Sequence, residues 1–194
     1  VAYIYGHLME VPAEMRQHGL GTAILASQLS HFAEDVGAKR MEILANIKAG
    51  GYVWPSLGYD FEDWHHAAPV LQTMEQLADL AEKNRYSDLA ELIRGKAEGY
   101  ENDRPHSWEI AEDKTPLPVD LVALIHPPSP PNPFDRQPDL VRDALDRGLT
   151  ELPLGKSVMW GQELHTAFDL RRGSPSRAQF KKKAQERLAR WLDR

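Results

Sequence analysis

The 194 residues are 42% hydrophobic and 27% charged, an ordinary globular composition that suits one large domain or a domain with a substantial appendage. Cysteine is absent, which excludes disulfides, thiolate metal ligands and cysteine nucleophiles and is compatible with a cytoplasmic setting. A formal net charge of −6 argues against nonspecific nucleic-acid binding as the main role, and with no run of ~18 apolar residues and no basic-then-apolar amino end, neither a membrane span nor a signal peptide is expected.

Residues 2–11, AYIYGHLMEV, predict a strand with Tyr3, Tyr5 and His7 sharing one face at period two. Past Pro12, Leu20, Ile24, Leu25, Leu29, Phe32, Ala33 and Val36 recur at helical spacing and stop at Gly37, predicting an amphipathic helix opened by two glycines. Residues 40–46, RMEILAN, predict a second strand, and a strand–helix–strand unit of this length calls for parallel pairing through a right-handed crossover. GGYVWPSLGYDF predicts a short helical segment, a turn at Gly58 and a strand from about Tyr59. One apolar stripe (Val70, Leu71, Met74, Leu77, Ala78, Ala81) and another (Leu89, Leu92, Ile93) flank a break near Tyr86 and predict two packed helices from Pro69 to about Ala97. PLPVDLVALIHPP holds an apolar run that length leaves ambiguous, read here as a strand. Residues 126–138 contain six prolines and predict an extended linker or wrapping arm.

Asp139 predicts the cap of a short helix ending at Gly148, KSVMW a strand, and Ser176 the cap of a terminal helix to about Leu192. That last helix is basic, with Lys181, Lys182, Lys183 and Arg187 beside an apolar stripe of Phe180, Ala184, Leu188 and Trp191. It reads as a solvated face paired with the acidic remainder, or as a docking surface for RNA, an acidic partner or a membrane. No internal repeat is evident.

Between the first strand and first helix stands R-Q-H-G-L-G, residues 16–21. Gly19 and Gly21 let the backbone approach a phosphate closely, and the amides and dipole at a helix start favour an anion. Tight turns also use glycine for steric reasons alone. The wider string V-P-A-E-M-R-Q-H-G-L-G resembles the motif of the GNAT superfamily of acetyl-CoA-dependent N-acyltransferases, in which a hydrophobic strand end precedes R/Q-x-x-G-x-G/A. The matching positions are Val11, Arg16, Gly19 and Gly21. Further on, Asn46, Ala49 and Gly58-Tyr59-Asp60-Phe61 are similar to the family's second signature, Asn-x-x-Ala followed by a helix ending in Gly-Phe or Gly-Tyr. The resemblance covers residues 1–63, about a third of the chain. It implies acetyl-CoA as acyl donor, with main chain at Met9 to Val11 pairing with the pantetheine arm. It further implies that the amides of Gln17, His18, Gly19, Leu20, Gly21 and Thr22 hold the pyrophosphate, at the turn opened by Arg16, and that Asn46 contacts the cofactor.

The family's fold begins with a strand, two helices and two more strands ahead of this point, whereas this sequence starts at the strand before the phosphate turn. The expectation is a fragment of a longer protein, or substitute structure supplied after residue 64. Where many members carry a carboxylate base on the first strand, Tyr3 stands here, and Glu10 is the nearest acid. The family's tyrosine acid aligns with Trp54, so Tyr52 is the candidate for protonating the departing thiolate, with a packed aromatic as the alternative. His7 is the candidate for deprotonating an amine through water, with a histidine simply hydrogen-bonded in place as the alternative. His65 and His66 are adjacent rather than at i, i+4 and read as non-metal, so no metal site is expected. Ser56 and Ser157 lack a nucleophile-elbow context, and Gly155-Lys156-Ser157 lacks the spacing of a phosphate loop.

The expected fold is α/β, a GNAT-like mixed sheet flanked by helices with a mostly helical, proline-rich carboxy-terminal extension. Its expected parts are a partial acetyl-CoA-binding core (1–64), a helical extension (65–125), the linker (126–138) and a carboxy-terminal helical segment (139–194). The expected activity is direct transfer of an acetyl or related acyl group from CoA to an amine on a small molecule or protein. The alternative is a non-catalytic assembly or binding module of a larger protein. An incomplete sheet is compatible with strand exchange in a homo-oligomer; nucleic acid is a secondary expectation and a membrane is not expected.

Overall fold

The computed structural model of the chain describes residues 20–45, 50–128 and 139–192. Helix α1 (Leu20–Glu34) buries Leu25 and Leu29, one turn apart, and the chain reverses through Gly37 at φ +70°. Strand β1 (Arg40–Ala45), helix α2 (Gly50–Ser56) and strand β2 (Asp60–Phe61) follow, close to the predicted bounds. Gly58, between α2 and β2, sits at φ +97°, and a Cβ there would lie 2.5 Å from the Ser176 carbonyl oxygen. Only glycine meets both demands.

A 3-10 turn (Trp64–Ala67) leads into α3 (Ala68–Lys83) and α4 (Ser87–Asp103), the two predicted helices. Their facing stripes bury Val70, Met74, Leu77, Ala78, Ala81, Ala90 and Ile93 completely. Next come α5 (Ser107–Ala111), β3 (Pro116–Pro118) and α6 (Val119–Ile125). The stretch read as a strand is thus three strand residues and a helix. Pro118, extended at φ −53° and ψ 134°, ends the strand and opens α6, whose first turn carries Asp120. Helix α7 (Leu140–Asp146) has its predicted cap, the Asp139 carboxylate accepting from Arg142 N. It is followed by β4 (Glu151–Pro153) and α8 (Leu154–Met159), so KSVMW is largely helical rather than a strand. Strand β5 (Leu164–Asp169) forms where the sequence predicts no element, and α9 (Pro175–Leu192) ends the described chain. Its cap is Ser174, whose Oγ accepts from Arg177 N at 3.3 Å, with Pro175 in the first helical position. Ser176 is buried inside the first turn.

Strand β5 runs between β1 and β2 and pairs antiparallel with both, setting Met41 opposite Phe168, Ala45 opposite Leu164 and Phe61 opposite Thr166. The parallel partner expected for β1, residues 2–11, lies outside the described residues. Strands β3 and β4 form a second antiparallel pair. Val119 N donates to Thr150 O (3.0 Å) and Leu154 N to Thr115 O (2.8 Å), so Thr-x-Leu-Pro at 115–118 and 150–153 forms a short repeat about a local two-fold where the sequence reading expects none.

One face of the three-stranded sheet, through Met41, Tyr59 and Phe168, joins Leu25 and Leu29 of α1 in a small core. The larger core lies among α3 to α8. Residues 62–163 therefore form an insertion between β2 and β5, and the carboxy-terminal segment returns to complete the front sheet.

Candidate functional site

His7, Met9, Val11, Arg16, Gln17, His18, Gly19 and Asn46 lie outside the described residues. Leu20 opens α1, Gly21 follows, and Thr22 is buried in the first turn. Tyr52 is half-buried on α2 and packs against the larger core. Its neighbour Gly51 explains the closeness: a Cβ there would collide with the Met159 carbonyl oxygen, so α2 rests directly on the end of α8.

Strand alternation gives the sheet a second face, opposite α1. Register places Arg40, Glu42, Leu44, Asp60, His165 and Asp169 on it, and Glu62 joins them because its N–H donates to His165 O at 3.1 Å. Arg40 Nε lies 2.8 Å from Glu42 Oε1, and its Nη2 lies 3.7 Å from Glu62 Oε1. Helix α5 meets this face: Asp60 Oδ1 accepts from Ser107 N at 2.8 Å, and Asp60 Oδ2 lies 2.5 Å from His106 Nδ1. The His106 ring stacks on Trp108 at 4.2 Å. With Nδ1 engaged by a carboxylate, Nε2 is the nitrogen able to exchange a proton, as in an oriented general base. Ser107 is no nucleophile, since its fully buried hydroxyl donates to Tyr59 O at 2.6 Å.

At the end of this face where β5 begins, Glu62, His66 and His165 each bring one donor atom to within 4.8 Å of the others. The His66 and His165 rings stack with centroids 4.8 Å apart and planes 26° apart. His66 Nδ1 is buried without a hydrogen-bond partner and stands 3.9 Å from Asp63 Oδ1. Sequence reasoning weighed His66 only against its neighbour His65. The real partner comes from the far side of the insertion, and no local spacing announces it.

Several groups with shifted pKa values hold structure. Burial pushes the Asp113 carboxyl up, but hydrogen bonds from Lys96, Tyr100 and Thr115 outweigh it and hold the group at about 2. Glu112 behaves likewise, burial being overcome by Lys183, Lys182 and Gln179, which leaves it at about 2 and ties α5 to α9. This is the acid pairing expected for the basic helix. Burial lowers His126, whose Nε2 lies 2.7 Å from Ser157 O, and burial lowers Lys156, which sits over the Trp160 ring. Ser56 Oγ and Ser157 Oγ donate back to the carbonyls of Val53 and Pro153, as serines within a helical turn do. On the opposite side of the sheet a cleft of about 430 Å³ runs between α1 and α9, lined by Leu29, Phe168, Phe180, Arg177 and Lys181. Among the described residues no helix is long and apolar enough to cross a membrane. Compared with known proteins, the chain matches no family model, no curated protein and no solved structure.

Proposed function

We propose that the protein transfers an acetyl or related acyl group from CoA to an amine. The observation that carries this reading is the order of elements. Helix α1 opens at Leu20, directly behind Arg16-x-x-Gly19 in the sequence, and β1, α2, the turn at Gly58 and β2 follow, an order that supports the reading. A helix start behind a glycine turn presents amides and a partial positive charge to a pyrophosphate. The sheet's polar face adds support, because Glu42, Asp60 and Glu62 suit the approach of a cationic amine.

The chemistry is one displacement. The amine nitrogen bonds to the thioester carbonyl carbon, the carbon–sulfur bond breaks, a base takes the amine proton and an acid protonates the thiolate. Tyr52 is proposed as that acid and His7 as that base, with His106, held by Asp60, a second base on the described face. Isothermal titration of acetyl-CoA into the whole chain tests the reading, repeated with Gly19→Glu, whose carboxylate would repel the pyrophosphate. Micromolar binding that the substitution abolishes is the expected result. Binding that survives Gly19→Glu would refute the phosphate turn, and no binding to the wild-type chain would favour the assembly module instead.

A further inference from the structure

We propose that Glu62, His66 and His165 form a binding site for a divalent transition metal of the zinc class. The inference does not rest on the acyltransferase reading. Two imidazoles and one carboxylate suit Zn²⁺ and leave a coordination position for water or another donor.

Four observations support it. The donor atoms lie within 4.8 Å of one another, and ligands around a tetrahedral ion with bonds of ~2.0–2.1 Å are separated by roughly 3.3 Å. Glu62 and His165 are exposed, so their side chains are free of the core and can rotate to close the gap. His66 Nδ1 is buried and unpartnered, an arrangement that costs free energy unless a ligand or a shifted neighbour satisfies the ring. The carboxylate ligand also has a charged neighbour able to orient it, because Arg40 Nη2 is 3.7 Å from Glu62 Oε1. Finally, the three donors have a structural reason to be joined. Glu62 and His66 lie where the chain leaves the sheet for the insertion, and His165 lies where it returns. An ion there ties the two ends of the insertion together.

The test is titration of Zn²⁺ into the metal-stripped full chain, followed by calorimetry and thermal melting, with Co²⁺ as a spectroscopic probe. The expected result is one ion per chain, a raised Tm, and ligand-field bands from Co²⁺. His66→Ala and His165→Ala should each weaken binding at least ~10-fold. His31→Ala, an exposed histidine paired with Asp35 on α1, should leave it unchanged. Glu62→Gln keeps size and shape, and should weaken binding with an unaltered circular dichroism spectrum. Failure of the wild-type chain to bind Zn²⁺, or binding that the His66 and His165 variants retain, overturns the site; equal loss in the His31 variant does the same.

Discussion

Replacing Asp113 by asparagine should destabilise the protein at pH 7 and remove part of its acid sensitivity. The carboxylate joins α4 to the loop ahead of β3. Oδ2 takes Lys96 Nζ at 2.8 Å and the Tyr100 hydroxyl at 2.5 Å, both from α4, while Oδ1 takes Thr115 N and Oγ1 at 2.9 and 2.7 Å. The backbone carbonyl of Asp113 accepts from Gly155 N, the second residue of α8. The side chain is 6% exposed. Its pKa falls from 3.8 to about 2 on folding, and at ~1.36 kcal/mol per unit this linkage is worth at most roughly 2.5 kcal/mol. Screening through the 30% exposed Lys96 brings the figure to about 1–2 kcal/mol. Because the folded pKa lies below the unfolded one, the contribution is complete above about pH 4 and disappears as pH falls from there through 2. Asp113→Asn should therefore cost about 1–3 kcal/mol at pH 7, and its deficit relative to wild type should shrink toward pH 2.5. Urea denaturation followed by circular dichroism at several pH values measures both. A deficit that stays constant across that range would refute the electrostatic account, since only lost hydrogen-bond geometry would then be acting.

Glu112→Gln should loosen the docking of α9 on α5 by about 1 kcal/mol at neutral pH. The Glu112 carboxylate, held at about 2, lies 2.6 Å from Lys183 Nζ and 2.9 Å from Lys182 Nζ. Hydrogen exchange in α9 should rise in the variant, and the difference should vanish as pH falls from 4.5 through 2. Two helical glycines should respond with opposite signs. Gly155→Ala drives a Cβ into the Ile110 carbonyl oxygen and to 2.7 Å from Ala111 O, so thermal melting should show a loss of about 1–3 kcal/mol. Gly95→Ala, in α4 with nothing within 4 Å, should instead gain about 0.5–1 kcal/mol.

Long periodic elements were readable from the sequence because one residue stripe suffices to define them. The Val70 to Ala81 stripe locates α3, and Leu25, Leu29 and Gly37 locate α1 and its end. Short elements behave otherwise. Val119–Ile125 and Leu154–Met159 are of strand length, and helix wins because each follows a Leu-Pro step that has already ended a three-residue strand. Strand β5 carries a readable alternation, Leu164 and Thr166 buried against exposed His165, yet its place between β1 and β2 depends on partners about a hundred residues away. The same distance hides the candidate metal donors. The Asp60–His106 pair escapes local inspection too. The resemblance around Arg16-x-x-Gly19 is a feature of sequence, and of the residues proposed to touch cofactor only Leu20, Gly21 and Thr22 fall within the described structure.

The insertion between β2 and β5 also dictates a timetable. Strand β2 is two residues long and, among the described residues, pairs only with β5. At synthesis rates of ~5–20 residues per second, roughly 5–20 s separate the appearance of β2 from that of β5. During that interval α3 and α4, whose contacts are close in sequence, can collapse on each other at once. The ribosome thus delivers a folded helical body first, and the front sheet closes around a late central strand.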